Sequence, residues 1–149
     1  MRISIACDHG GLPLKAPIEQ YLTSQGIEFV DYGVNEPVSV DYPDYAAPVA
    51  LDVQSGVSQK GILLCGTGIG ITIAANKFKG IRAAVVSDEF CAAMCAEHNN
   101  ANILGLGGRV VSPEKAVKLV DIWLHTPFAG GRHQNRIDKI TALEDSQNK

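Results

Sequence analysis

At 149 residues, with 46% apolar residues and a formal net charge of -3, the chain reads as one domain over 1–149, large enough to bury a core without disulfide or metal staples. The mild acidity gives nucleic-acid or membrane-surface binding no electrostatic support, and no apolar run approaches the roughly 18 residues that span a bilayer. MRISIACDHGG turns polar too early for a secretory signal, and Cys7, Cys65, Cys91 and Cys95 show no C-x-x-C spacing, so the expectation is a cytoplasmic protein in a reducing compartment, without structural zinc.

Short β-branched runs alternate with longer amphipathic stretches, the pattern of βαβ units around a parallel sheet. RISIAC (2–7) predicts a strand, and Leu14, Ile18 and Leu22 at i, i+4, i+8 predict a helix that Gly26 stops, with Pro13 in its first turn. IEFVDY (27–32) predicts a second strand, followed by the long loop GVNEPVSVDYPDY (33–45) and a helix over 46–56 whose start is blurred by Pro43 and Pro48. Three further rounds follow: strand 61–65 with helix 71–78, strand 82–87 with helix 88–98, and strand 102–107 with helix 113–124. A last helix covers 131–143. The fold class is α/β, a three-layer, doubly wound, five-stranded parallel sheet of Rossmann-like type, with no internal repeat.

In such sheets ligands bind at the carboxyl ends of the strands, where strand order reverses. Strand 1 ends in CDHGG, presenting Asp8 and His9, and strand 3 ends in CGTGIG, presenting Cys65, Thr67 and the backbone of Gly66, Gly68 and Gly70. First and third strands are common neighbours, so both ends face one crevice. The glycine loop is not a dinucleotide fingerprint, although Asp88 lies about twenty residues on, where a ribose-binding acid would stand. Its spacing is G-x-G-x-G and it follows the third strand; no Gly-Lys-Ser/Thr follows that would make it a Walker loop. What remains is an oxyanion cradle for a small anionic ligand, with an acid/base cysteine beside it. Simpler roles compete. Cys7, Cys91 and Cys95 suit burial as small hydrophobes, and Asp8 suits a turn cap. His98 suits a helix end closed by Asn99 or Asn100 in the left-handed conformation. Arg132 and Arg136, i and i+4 in GGRHQNR, fork onto one phosphate or decorate a solvated helix face.

Taken together and in order over nearly the whole chain, CDHGG, DYPDYA, CGTGIGITIAANKFKGIRA, HNNANILGLGGRVV and GGRHQNRI resemble the type B ribose-5-phosphate isomerase family. The resemblance implies interconversion of ribose 5-phosphate and ribulose 5-phosphate, a step of the pentose phosphate pathway, without metal or organic cofactor. It implies Cys65 as the base that moves a proton between C1 and C2, through an enediolate held by the N–H groups of Gly66, Gly68 and Gly70, with Thr67 assisting. His98, with Asp8, would open the furanose ring. His9, Arg132 and Arg136 would hold the phosphate with Arg109 nearby, while Tyr42 and Asn99 would contact sugar hydroxyls. Some members use a glutamate in the following helix as base; ITIAANK offers none, which places this chain on the cysteine branch. Two alternatives stand beside this reading: an allose or galactose 6-phosphate isomerase, and a non-catalytic sugar-phosphate-binding module.

Chain direction adds a constraint. The helix after strand 4 runs back toward the amino ends of the strands, so His98 is expected at the pole opposite Cys65, as are Arg132 and Arg136. A two-fold homodimer with shared active sites, or a tetramer built from it, removes the difficulty, with the C-terminal helix used in dimerisation.

Overall fold

The computed structural model describes residues 1–147. Five strands, β1 (Arg2–Cys7), β2 (Glu28–Asp31), β3 (Lys60–Cys65), β4 (Ala83–Val85) and β5 (Ile103–Gly107), form one parallel sheet in the order β2-β1-β3-β5-β4. The helices are α1 (Leu12–Ser24), α2 (Pro43–Ser55), α3 (Ile69–Ala75), α4 (Glu89–Glu97), α5 (Pro113–His125) and α6 (Arg132–Ser146).

Successive strand side chains point to opposite faces, and both faces here are covered. Ile3, Ile5, Cys7, Ile62, Leu64, Leu104 and Leu106 pack under α1, α4 and α5. Ala6, Leu63, Cys65 and Ile103 pack under α2 and α3. Burial on both sides is why the central strands read as continuous apolar runs. Trp123 of α5 is fully buried, and its indole N–H donates to Ala101 O at 3.0 Å.

Element order follows the sequence expectation, and the differences have local causes. α2 begins at Pro43 rather than at 46, because proline in a first turn sacrifices no intrahelical bond; the loop before it shortens accordingly. β4 shrinks to three residues at the sheet edge, since it pairs with β5 on one side only. α5 starts where Ser112 caps it, Oγ accepting from Lys115 N at 3.2 Å. α6 buries only His133 and Ile137 and docks its last turns on the segment before β4, with Gly80 N donating to Glu144 Oε2 at 2.8 Å and Lys79 pairing with Asp145 at 2.7 Å.

From β1 the chain moves outward to β2 and then back to β3 on the other side. Strand order therefore reverses between β1 and β3, whose carboxyl ends flank the crevice that this topology leaves open.

Candidate active site

Three strand ends converge at the carboxyl pole. At the end of β1, Asp8 N donates to Leu64 O at 3.1 Å, stitching the CDHGG turn to β3. Asp8 is buried, and its Oδ1 accepts from Gly10 N (2.8 Å) and Gly11 N (3.1 Å). The turn-capping role is therefore real, and it occupies one carboxylate oxygen. The turn lies directly on the glycine loop: a Cβ on Gly10 would stand 2.7 Å from Gly66 N. His9 Nδ1 accepts from Val40 N at 3.3 Å, an arrangement that leaves the neutral ring's proton on Nε2.

Cys65, the last residue of β3, is 5% exposed, and its Sγ accepts from Gly68 N at 3.1 Å. Gly68 has φ +79°, a conformation that costs glycine nothing and other residues strain, and this left-handed step turns the amide onto the sulfur. Thr67 Oγ1 accepts from Ile69 N at 3.2 Å. Two more side chains close over the loop. A Cβ on Gly66 would stand 2.8 Å from Arg109 Nη1, and one on Gly70 would stand 2.7 Å from Tyr42 Cζ. Arg109 arrives because β5, not β4, lies beside β3; Gly108 N and Arg109 N donate to Cys65 O (2.8 Å) and Gly66 O (2.9 Å). One chain thus gathers Asp8, His9, Tyr42, Cys65, Gly66, Thr67, Gly68, Gly70 and Arg109.

The remaining candidates lie at the amino pole. His98 caps the carboxyl end of α4, with Asn100 in the left-handed conformation at φ 45°. The chain then reaches the start of β5, where Asn102 O accepts from Gly61 N at 2.9 Å. This fixes the His98–Asn102 corner at the amino ends of β3 and β5. α6 begins here too, since Ala129 N donates to Glu97 O at 3.0 Å and the His98 and His133 rings stack at 4.2 Å, 10° from parallel. Asn99, Arg132 and Arg136 accordingly belong with His98 and apart from Cys65, as chain direction required.

Two residues of this pole are not picked out by the sequence reading. His133 is buried and held below the ordinary imidazole range by its removal from water and then by the facing His98, Arg132 and Arg136. Its place between two arginines in GGRHQNR is the only hint. Arg82 forks onto the carbonyls of Asn99 (Nε, 3.0 Å) and Asn100 (Nη2, 3.0 Å); nothing local marks it, because its partners lie seventeen and eighteen residues on.

Other expectations resolve plainly. Cys7 and Cys95 are buried, and burial pushes both thiols up to about 11. Cys91 departs from its expected burial: it is exposed in the first turn of α4, where amphipathic phase turns it outward. Asp88 is no ribose acid; its Oδ1 caps α4 by accepting from Cys91 N at 2.8 Å. Among the described residues, no three His, Cys, Asp or Glu side chains gather as metal ligands.

This arrangement can take and return a proton at Cys65 Sγ beside a row of backbone N–H donors, with His9 and Arg109 as donors to an anion. A family model described as Ribose/Galactose Isomerase matches residues 3–140. The chain is 48% identical over 147 residues to ribose-5-phosphate isomerase B of Escherichia coli, covering 99% of each. Among solved structures, ribose-5-phosphate isomerase B of Clostridium thermocellum superposes with TM-score 0.97 at 50% identity over 99% of each chain. That of Mycoplasma genitalium, with bound ribulose 5-phosphate, superposes at 0.93 with 46% identity, covering 97% of this chain and 96% of that one.

Proposed function

We propose that this chain, which belongs to the ribose/galactose isomerase family, interconverts ribose 5-phosphate and ribulose 5-phosphate by proton transfer through an enediolate. The observation that carries this reading is the Cys65 thiol, held 3.1 Å from Gly68 N at the end of the central strand, at the reversal point where the topology opens a crevice. On the open-chain sugar, Cys65 Sγ takes the C2 proton and returns it to C1, so one base serves both carbons. The charge that develops on the substrate oxygen faces the Gly66, Thr67 and Gly70 amides of the loop, held in place by the bonds that Gly68 N and Ile69 N give to Cys65 Sγ and Thr67 Oγ1. Thr67 Oγ1 assists the hydroxyl proton. His9 offers Nε2–H to the phosphate, and Arg109, lying over Gly66, neutralises charge beside it.

Ring opening needs a proton moved from the anomeric hydroxyl to the ring oxygen, work suited to imidazole. We assign it to His98 of a second copy of the chain, assisted by Asp8, with Asn99 on a sugar hydroxyl and Arg132 and Arg136 completing the phosphate clamp. Two observations support a homodimer with shared sites. The candidate groups divide between opposite poles of one chain, and Ile69, Ile73, Val85 and Phe90 stand exposed on the β4 side of the Cys65 loop, an apolar margin of the kind that marks interfaces. A cytoplasmic location fits the four free cysteines.

The test is a coupled assay of the purified protein on ribose 5-phosphate, allose 6-phosphate and galactose 6-phosphate, each with a chelator present. Turnover of ribose 5-phosphate in chelator is the expected result. Turnover of a hexose phosphate alone would move the substrate to six carbons, and binding without turnover on any sugar would leave a binding module.

A further inference from the structure

One buried cation lies outside the machinery described above. Lys15, in the first turns of α1, is 5% exposed, yet its ammonium is fully matched: Nζ donates to Asp31 Oδ2 (2.7 Å), Val34 O (2.5 Å) and Asn35 Oδ1 (2.8 Å). Three donors meet three acceptors, the full capacity of the group. A lysine is rarely buried unless paired, and these partners share one feature. All three lie where β2 ends and the irregular 32–42 segment begins. The same root is stitched to β1, with Val34 N donating to Cys7 O at 3.2 Å and Cys7 Sγ to Val34 O at 3.6 Å, and Asp31 Oδ1 accepts from Gly33 N at 2.7 Å. Residues 35–39 are then exposed, and the segment returns to the crevice with Val40 N on His9 Nδ1 and Tyr42 over Gly70.

We propose that Lys15 is a positioning residue for the phosphate side of the site, holding the root of the 32–42 loop so that Val40 fixes the His9 tautomer and Tyr42 stands over Gly70. What His9 and Tyr42 touch rests on the sugar-phosphate reading; the Lys15, Val40 and His9 contacts stand without it. With Val40 N–H aimed at Nδ1, neutral His9 presents Nε2–H as a donor. With the root released, that bias is lost, and the ring samples a tautomer whose outward nitrogen repels a phosphate oxygen.

The test pairs Lys15→Met with the double variant Lys15→Met/Asp31→Asn, which removes the partly exposed carboxylate that the single variant leaves without its partner. In both, KM for ribose 5-phosphate is expected to rise about tenfold with kcat within about threefold, the signature of lost ground-state binding rather than lost chemistry. In ligand-free protein, the His9 imidazole 15N resonances are expected to report an unprotonated Nδ1 in wild type and a tautomer mixture in both variants. A folded Lys15→Met with wild-type KM and wild-type His9 resonances would overturn the proposal. So would restoration of both by the double variant, since that result would assign Lys15 to charge balance alone. Should Lys15→Met fail to fold, the double variant decides by the same two readouts. The resonance measurement needs no turnover, so an inactive wild type with variant-sensitive His9 resonances would refute the isomerase reading and leave the positioning role standing.

Discussion

If Cys65 and His98 serve one site only across a two-fold interface, Cys65→Ala and His98→Asn must complement each other in a mixed dimer. The separation follows from the sheet. Cys65 closes the six-residue β3, whereas the corner carrying His98 is bonded to Gly61 at that strand's other end. Gly61 and Cys65 are four residues apart, so at about 3.3 Å per residue they stand roughly 13 Å apart. Proton transfer requires about 3 Å between heavy atoms, or one bridging water, so the two side chains of one chain cannot share a substrate. Each pure variant then has a lesion in every site. A mixed dimer places both lesions in one site and leaves the other whole. Random pairing at equal amounts yields mixed dimers as about half of the total, so about one quarter of sites are intact. The two inactive proteins, unfolded and refolded together, should recover roughly a quarter of wild-type activity, while each refolded alone stays inactive. Differently tagged chains report exchange independently. Confirmed mixing with no recovered activity would place both residues in one subunit's site and refute the separation argument.

Cys65→Ala should fold normally, keep KM and lose kcat by at least about a hundredfold, as loss of a positioned base demands; near-normal turnover would remove Cys65 from the chemistry. Cys7 and Cys95, with thiols pushed up to about 11 from an ordinary 9.0, hold their protons more tightly folded than unfolded, so their contribution to stability is complete below pH 9 and lost as pH rises toward 11. Denaturant midpoints measured across that range should fall less steeply in Cys7→Ala, and an unchanged slope would refute the assignment. His133 lies below the ordinary imidazole value of 6.5, so the unfolded chain takes up its proton first and stability falls as pH drops through that value. His133→Asn should reduce this acid sensitivity in thermal melts between pH 7 and 5; if the slope is unchanged, other groups carry it.

The placement of candidate groups at the strand ends was legible because it is local. CDHGG and CGTGIG each place their reactive groups within a few residues of one strand, and the i, i+4, i+8 leucine and isoleucine series of α1 specifies a buried face without reference to anything distant. What sequence could not show was set by packing between separated segments. RAAVVS reads as a full strand, yet β4 lies at the edge with Val85 exposed, and only the sheet order reveals that. The same order puts β5 beside β3 and so brings Arg109 over Gly66, a proximity absent from any local pattern. Asp88 shows why spacing had to decide: an acid at a ribose-binding distance is also a helix cap, which is what Asp88 is, and the side-chain chemistry of the two roles is identical. The division of the candidate site between poles, by contrast, required only chain direction. A crossover helix after a parallel strand must return to the amino ends, and His98 ends such a helix. The rule predicted separation without a single distance, and the Asn102–Gly61 bond near the amino end of β3 is the physical reason for testing whether a second subunit brings His98 to Cys65.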